Sequence, residues 1–516
     1  MSDEKKVDTV VLSAAEEKRE KALAALDNAD FTWFHVKMIL VAGAGFFTDA
    51  YDIFVIGQAL NILYAVYFNV PGSTSVKPAT NIDALLKAIT NWGNFIGQLS
   101  FGYLGDRLGR KRMYGVELMI IMFSCFASAF SASAVRGFGV LFVLGMWRFF
   151  LGIGIGGDYP VSAVISSEFS NVKFRGAMIA AVFANQGLGQ LTGGVVALCT
   201  LAGFKDSIYN DQYMLDYVWR ILLGFGVIPG AIAVYYRLTI PETPRFTVDV
   251  LGDAGKAEAD VNKVLSLKGV NTVFTEDVVL TDEKIEEHVV SFGEFFSPTK
   301  NFRNFLELAC CAFCWFALDV AYYGLTINSS SILALIGYGA VKGDVYMSFF
   351  NAALGNFLII IMGAVPGYFV TVFTCEIIGR KPIQLLGFGM LTIILAVLAG
   401  GFYPISAIPW LFCLLYGIAQ FFFNFGPNTT TFMYPAEIFP TRYRSTAHGI
   451  SAGVGKLGAI LGVQVFTPFK DNIGFNNVLW LFTAFMALGF IATLPLPEPK
   501  RRRLEDIAKS VEKPSA

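Results

Sequence analysis

Six ionisable residues lie within long stretches of apolar sequence, where charged side chains are rare. They are Asp49, Asp52, Arg148, Asp158, Asp319 and Lys456. An ionisable group inside a membrane span is costly to bury and by default indicates a functional site, such as a proton carrier or an ion ligand. Charged side chains near the ends of spans can instead extend to the interface, and this explanation suffices for Lys37, Glu117 and Glu168.

The first two carboxylates lie in the stretch FFTDAYDIF, residues 46–54. Asp49 and Asp52 are three residues apart, so on a helix they share one face. Two buried carboxylates this close are costly to ionise together, and one of them is therefore expected to hold a proton near neutral pH. Arg148 is the expected counter-charge. The alternative is a structural ion pair with Arg148 that never exchanges a proton.

A second group combines an acid with aromatic residues. Trp315, Asp319 and Tyr323 follow a four-residue spacing and should share one face of a helix. An aromatic stripe alone is more often core packing, but an acid at its centre favours a binding site. Lys456 lies in GISAGVGKLGAILG, residues 449–462, among glycines that should leave it room. It is the expected anion ligand, and the alternative is a structural ion pair with one of the aspartates.

Neutral hydrogen-bonding side chains add to this set. Tyr159, Gln186 and Asn428 are candidate substrate donors, although each is weak evidence alone. Asp158 precedes Tyr159 in GGDYP, where the two glycines and Pro160 should loosen the helix. Bent or broken helices are where many transporters bind substrate near the membrane midplane.

The composition identifies the surroundings of these residues. The chain has 516 residues, 55% hydrophobic and 15% charged, with a formal net charge of -1, which is typical of a membrane protein. Unbroken apolar stretches of about 20 residues or more predict transmembrane helices rather than a β-barrel. The twelve predicted spans are 34–67, 84–106, 112–131, 138–167, 176–202, 217–238, 303–335, 346–375, 382–401, 408–435, 445–468 and 477–495.

Basic loops recur on one side of these spans. They are residues 107–112, 173–175, 379–381, 441–444 and 500–503. The positive-inside rule makes this side cytosolic, and an even number of spans puts both termini there. The predicted organisation is an N-terminal tail (1–33), a six-helix half (34–238), a cytosolic linker (239–302), a second six-helix half (303–495) and a C-terminal tail (496–516).

The two halves repeat in sequence. GDRLGRK at 105–111 matches CEIIGRK at 375–381, and SEFSNVKFR at 167–175 matches AEIFPTRYR at 436–444. The nearly equal offsets predict a parallel repeat of six helices, which is a transporter architecture. The same offset pairs GGDYP with FGPNT, so these two segments should meet at the site.

Several motifs carry a family resemblance. GYLGDRLGRKR (102–112) resembles the signature of the major facilitator superfamily, and PETPR (241–245) resembles its sugar-porter-like branches. GFFTDAYDIF, GGDYPVSAVISSEF and RGAMIAAVFANQGLGQ are similar to the proton-coupled inorganic phosphate transporters of fungi and plants. The resemblance covers residues 30–500. It implies an all-α fold of two pseudo-symmetric six-helix halves, and it associates Asp49, Asp52, Arg148 and Asp158 with the proton route.

The sequence therefore predicts a secondary transporter of the plasma membrane that imports inorganic phosphate with protons. Tyr159, Gln186, Trp315, Asp319, Tyr323, Asn428 and Lys456 are the expected substrate-binding residues. Two alternatives stay open, a permease for another solute such as a phosphodiester or a sugar, and a phosphate sensor of the same fold. Neither a cofactor, a metal nor a nucleic-acid partner is expected, and no motif indicates an enzyme.

Overall fold

The computed structural model describes residues 33–68, 78–133, 139–239, 243–249, 291–339 and 341–504. Within these ranges the chain is helical without β-strands, and it forms twelve membrane-crossing segments, α1 to α12. In the first half these are α1 Trp33–Tyr67, α2 Thr80–Leu108, α3 Arg110–Ala129, α4 Val140–Phe169, α5 Arg175–Gly203 and α6, which comprises Leu215–Gly224 and Val227–Thr239.

The second half has the same number of segments. They are α7 Phe302–Ile327, α8 (Val345–Ile359, a π-helical turn Ile360–Ala364, and Val365–Ile378), α9 Arg380–Gly400, α10 (Pro409–Asn424 and Pro427–Ile438), α11 Arg444–Ile473 and α12 Phe475–Thr493. The predicted all-α fold of two six-helix halves is confirmed.

Two of the twelve segments are less apolar than the rest. Among the described residues, ten helices are long and apolar enough to cross a membrane, and α2 and α5 are not in that group. Both have 29 residues, which corresponds to about 43 Å of helix and exceeds the roughly 30 Å of a hydrocarbon core. On α2, the polar residues Asn91, Asn94 and Gln98 are buried against other helices rather than exposed to lipid. These two segments therefore span the membrane with polar faces turned inward.

The sequence repeat is also a structural repeat. In each half a helix ends at a glycine with positive φ, Gly109 at 94° and Gly379 at 106°, a conformation that only glycine adopts at low cost. A buried arginine follows each glycine and contacts two acids. The first triad joins Asp106, Arg110 and Glu168, and the second joins Glu376, Arg380 and Glu437. We call the side of the molecule that carries these triads the basic face.

The prediction that Glu168 extends to the membrane interface is wrong. Glu168 is fully buried because Arg110 and Arg444 lie 3.4 Å and 3.1 Å from its carboxylate. Lys37, by contrast, is exposed near the start of α1, as predicted.

The two halves contact each other on both sides of the membrane. At the basic face, Arg444 of the second half pairs with Glu168 of the first, and the main-chain N–H of Thr446 donates to Asp106 at 2.7 Å. At the opposite face, the Nζ of Lys87 donates to Asn328 Oδ1 at 3.2 Å. The centre of the molecule is therefore closed from both sides.

Helix α11 packs closely against α7. A Cβ added at Gly458 or Gly462 would overlap the main-chain carbonyl oxygen of Phe316 or Val320, respectively. The glycines that flank Lys456 thus let two helices approach, in contrast to the prediction that they leave room around the lysine.

Much of the predicted linker lies outside the described residues. In its described parts, two short helices are present, Pro244–Asp249 and Phe292–Phe295. Residues 1–32 of the predicted N-terminal tail and residues 505–516 of the C-terminal tail also lie outside the described ranges.

The close approach of α7 and α11 gives a first prediction. Gly462→Val should lower the thermal midpoint of the purified protein, because overpacking of this kind costs about 1–3 kcal/mol. Gly203→Val is the matched control, since nothing lies within 4 Å of a Cβ at Gly203. Equal midpoints for the two variants in a thermal unfolding assay would contradict the packing argument.

Candidate functional site

A buried lysine forms the centre of the candidate site. The Nζ of Lys456 on α11 donates to the carboxylate of Asp319 at 2.9 Å and to the hydroxyl of Tyr323 at 2.8 Å. All three side chains are at most 3% exposed. Asp319 and Tyr323 are four residues apart on α7, so they present their polar groups on the same face. The second carboxylate oxygen of Asp319 accepts no hydrogen bond within the described part of the chain.

Trp315 lies one turn from Asp319 on the same helix. A Cβ at Gly455 would lie 2.6 Å from its indole ring, so this glycine is what allows the ring to lie against α11. The indole also contacts the rings of His448, at a centroid distance of 5.4 Å, and Tyr159, at 6.4 Å. The predicted common face of Trp315, Asp319 and Tyr323 is therefore the face that α7 turns toward Lys456 and the first half.

A chain of hydrogen bonds joins the two halves beside this cluster. The side-chain amide of Gln186 donates to the hydroxyl of Tyr159 at 2.7 Å, and the hydroxyl of Tyr368 donates to Gln186 Oε1 at 3.3 Å. Asn428 donates to the Tyr368 hydroxyl at 2.9 Å. Lys456 Nζ lies 5.2 Å from the centroid of the Tyr159 ring, which connects this chain to the lysine. The structure thus brings the seven predicted substrate residues into one region between the halves.

Tyr368 on α8 was not predicted. It is fully buried and links Gln186 of the first half to Asn428 of the second. A neutral aromatic residue in an aromatic-rich membrane chain has no distinguishing sequence signal. His448 was also missed; it is buried, and its Nε2 lies 3.1 Å from the carbonyl oxygen of Phe432.

The backbone irregularity that we predicted at Asp158 is absent there and occurs instead in the matching segment of the second half. Helix α4 continues without interruption from Val140 to Phe169, with Pro160 inside it. In α10, by contrast, the helix stops at Asn424 and begins again at Pro427, immediately before Asn428. The two segments do approach each other, through the hydrogen bonds that link Tyr159 to Asn428.

Asp158 belongs to a different cluster from its neighbour Tyr159. Its carboxylate pairs with Arg237 at 2.5 Å and accepts a short hydrogen bond from Ser162. Arg237 also pairs with Glu117 at 3.2 Å, and the arginine and both acids are inaccessible to solvent. The prediction that Glu117 reaches the interface is therefore wrong, because Arg237 satisfies it inside the bundle. Arg237 lies at the end of the predicted sixth span, and its charge there was an available signal.

The two acids of α1 differ in their surroundings. Asp49 is fully buried, and neither of its carboxylate oxygens has a hydrogen-bond donor among the described residues. Asp52 is also fully buried, and it accepts a weak hydrogen bond from the thiol of Cys125 at 3.5 Å. Helix α6 is interrupted beside this carboxyl group. A Cβ at Gly226, within the interruption, would lie 2.9 Å from the carboxylate carbon of Asp52, so the glycine is what leaves room for the acid.

Arg148 is not the direct partner of these acids that we predicted. Its guanidinium donates to the main-chain carbonyl of Asp52 at 2.6 Å and to Thr90 Oγ1 at 3.2 Å. Within the described residues it forms no salt bridge with either carboxylate. Arg148 therefore lies next to the pair and holds the backbone of α1, while neither carboxyl group forms a salt bridge with a described residue.

Comparison with known proteins identifies the family of this chain. The family model described as sugar (and other) transporter matches residues 37–510. The repressible high-affinity phosphate permease of Neurospora crassa is 43% identical, over 95% of this chain and 89% of its own length. The inorganic phosphate transporter PHO84 of Saccharomyces cerevisiae is 41% identical, over 95% and 87%. A probable inorganic phosphate transporter of Arabidopsis thaliana is 40% identical, over 96% and 98%.

Solved structures agree on the fold. The proton:xylose symporter XylE, of the major facilitator superfamily, bound to 6-bromo-6-deoxy-D-glucose, superimposes with a TM-score of 0.72 over 93% of this chain and 99% of its own, at 19% identity. XylE in a partially occluded inward-open conformation gives a TM-score of 0.68 over 92% and 100%, at 18% identity. The chain is a membrane transporter rather than an enzyme, and it belongs to the sugar (and other) transporter family of the major facilitator superfamily, together with fungal and plant inorganic phosphate transporters.

Proposed function

We propose that this protein imports inorganic phosphate in symport with protons, by alternating access of a central site between the two halves. The observation that carries the proposal is the buried lysine of α11, held between a carboxylate and a phenol at the interface of the halves. The relatives named as phosphate permeases and transporters support this choice of substrate. The basic face is then cytosolic, both termini lie on that side, and the membrane is the plasma membrane.

The central cluster has the chemistry that dihydrogen phosphate requires. Lys456 supplies positive charge, and Tyr159, Gln186, Trp315, Tyr323 and Asn428 supply neutral donors. When it is ionised, Asp319 can accept a hydrogen bond from a phosphate hydroxyl. When it is protonated, it can donate a hydrogen bond to a phosphate oxygen. An ionised carboxylate in the site also selects against sulfate, which has no proton to offer it.

The proton route in this proposal uses Asp49, Asp52 and Asp158, with Arg148 beside them. Within the described residues, Asp49 and Asp52 are buried and form no salt bridge, and a buried carboxylate without one is costly to keep charged. Each can therefore exchange a proton without breaking a salt bridge. Asp158 differs, because it must leave Arg237 before it can take a proton.

Access to the site alternates when the contacts at one face separate. Opening toward the cytosol requires Arg444 to leave Glu168, whereas opening toward the outside requires Lys87 to leave Asn328. The repeated triads let each half move as one body around the central site.

Uptake in proteoliposomes tests the proposal and separates it from its alternatives. Purified protein should accumulate radiolabelled phosphate when an inward proton gradient is imposed, and a phosphodiester or a sugar in excess should not compete. Competition by either would identify a different solute. Phosphate binding without accumulation would indicate a sensor.

The first functional prediction concerns the lysine. Lys456→Ala should weaken phosphate binding by more than tenfold, a difference above about 1.4 kcal/mol, because it removes the positive charge from the central cluster. Lys300→Ala is the control, since Lys300 is an ion-paired lysine whose partner is Glu294, outside this cluster and outside the contacts between the halves. Equilibrium binding within threefold of the original protein would exclude Lys456 as a ligand.

A second prediction concerns proton coupling. Asp52→Asn should give weak phosphate uptake that no longer rises with an inward proton gradient, because an amide resembles a permanently protonated acid. Glu307→Gln, which changes a buried acid paired with Arg303 far from α1, should keep the dependence on the gradient. A wild-type response in Asp52→Asn would assign the carrier role to Asp49 or Asp158.

A third prediction separates two roles of Asp319. If its carboxyl donates to phosphate, Asp319→Asn should bind phosphate with near-normal affinity, because asparagine also offers a donor at similar size. Release should be slow, because the variant loses the charge repulsion of an ionised Asp319, about 4 kcal/mol at roughly 4 Å with an effective dielectric near 20. Asp319→Ala, the control, should in addition bind phosphate weakly, because alanine offers no donor. Loss of binding in Asp319→Asn, measured with radiolabelled phosphate, would instead show that the carboxylate accepts the phosphate proton.

A further inference from the structure

A small cavity lies between the two halves, outside the central cluster. It has a volume of about 40 Å³ and is bordered by α1, α5, α7, α8 and α10. Its lining includes the polar residues Gln58, Gln190, Thr326, Ser330, Asn356 and Gln420. None of the described residues that line it is a lysine, arginine, histidine, aspartate or glutamate. The lining is therefore apolar over most of its surface, with amide and hydroxyl groups among it and no formal charge, and we call this space the external cavity.

The external cavity lies on the outer side of the phosphate site. Thr326 is three residues beyond Tyr323 on α7, and Gln190 is one helical turn beyond Gln186 on α5, both toward the external face. A layer of side chains separates the two sites, in which Gln190 donates to the hydroxyl of Tyr322 at 2.8 Å. The ring of Phe54 completes the layer, 5.8 Å from that of Tyr322. A solute that enters from outside reaches the external cavity before it reaches Lys456.

Three amide oxygens in this cavity accept no hydrogen bond from the residues that the structure describes. They are Gln58 Oε1, Asn356 Oδ1 and Gln420 Oε1. Asn356 and Gln420 are 4% and 3% exposed. Their amide nitrogens are engaged, since Asn356 donates to Ser330 at 2.8 Å and Gln420 donates to Thr326 at 3.2 Å. Buried carbonyl oxygens without a partner are unfavourable, so these atoms fit a ligand that donates hydrogen bonds.

We propose that the external cavity is a second substrate site, which binds a monoanionic oxyanion through its own hydroxyl groups before that anion moves to Lys456. The proposal rests on phosphate as the transported solute, and the ligand is then dihydrogen phosphate.

The lining selects for the protonation state of the anion. Dihydrogen phosphate carries one charge and two hydroxyl donors, which can serve two of the three amide oxygens. Hydrogen phosphate carries two charges and one donor, and sulfate carries two charges and none. Without a cation in the lining, a dianion loses far more hydration free energy than a monoanion does, and it has fewer hydroxyl donors with which to satisfy the amide oxygens. The cavity thus admits the form of phosphate that already holds two protons.

In the closed conformation the cavity has room for about three water molecules, at roughly 10–15 Å³ for each. The anion occupies it when the halves separate at the external face. Asn328, which accepts from Lys87 across that face, is two residues from Ser330 in the cavity wall. Separation of this contact therefore widens the cavity directly.

The test compares transport with binding in the double variant Asn356→Leu, Gln420→Leu, which keeps the side-chain size and removes both acceptors. In proteoliposomes, the KM for external radiolabelled phosphate should rise about tenfold, with kcat changed less than twofold. The equilibrium Kd of the purified protein for phosphate should stay within twofold, because the cluster at Lys456 is intact.

Gln384→Leu is the matched control. Gln384 is also fully buried with an amide oxygen that lacks a donor, but it lies between α9 and α12, where it donates to Thr493 at 2.9 Å. This variant should leave both KM and Kd within twofold. A second variant, Gln420→Glu, keeps the shape and adds a negative charge, so it should raise KM at least as much as the double variant does.

Two outcomes would overturn the proposal while phosphate uptake by the original protein stands. A KM within twofold of the original in both cavity variants would mean that the cavity holds water only. An equal rise of KM and Kd would mean that these residues act through the central site. Absence of phosphate uptake by the original protein would overturn both the proposed function and this site.

Discussion

A buried ammonium group needs an opposite charge within a few ångströms, because removing an unpaired charge from water costs several kcal/mol. For Lys456 that partner is Asp319, at 2.9 Å on a different helix. Contact at this distance requires α7 and α11 to touch, and the glycines at 458 and 462 remove the side chains that would prevent it. The ion pair between Lys456 and Asp319 and the close packing of α7 against α11 therefore depend on each other. A change that separates these helices also leaves a charge unpaired in a low-dielectric environment.

Helix α4 connects this pair to the acids of the first half. Consecutive residues serve different clusters, since Tyr159 faces Lys456 while Asp158 is held by Arg237. A rearrangement at Asp158 must therefore alter the position of Tyr159 unless the helix deforms between them. The helix is continuous at this point, which makes it a rigid link. In the second half the equivalent segment is broken before Asn428, so the two halves contribute one rigid and one interrupted element to the same region.

The sequence alone was sufficient for the parts that depend on local periodicity. Apolar length gave the twelve spans, the four-residue spacing gave the common face of Trp315, Asp319 and Tyr323, and the two motif pairs gave the repeat. It failed where a partner comes from a distant helix. We predicted Arg148 as the counter-charge of Asp49 and Asp52, yet its guanidinium donates to the main chain of Asp52. The arginine that pairs with Asp158 is Arg237, 79 residues away in sequence. Tyr368, Asn356 and Gln420 carry no charge and follow no period, so only their contacts with other helices in the fold reveal them.

Charge balance links the central pair to proton coupling under the proposed function. When the site is empty, Lys456 and Asp319 neutralise each other, and the closed conformation buries no net charge there. Dihydrogen phosphate adds one negative charge to this region, which a low-dielectric interior opposes. One proton, taken up by Asp319 or by the acids of α1, restores the balance. The loaded and empty sites then have the same net charge, so both can close between the halves. Phosphate without its proton leaves an unbalanced negative charge in the buried site. Closure of the halves is then less favourable, and this difference in free energy couples proton transport to phosphate transport.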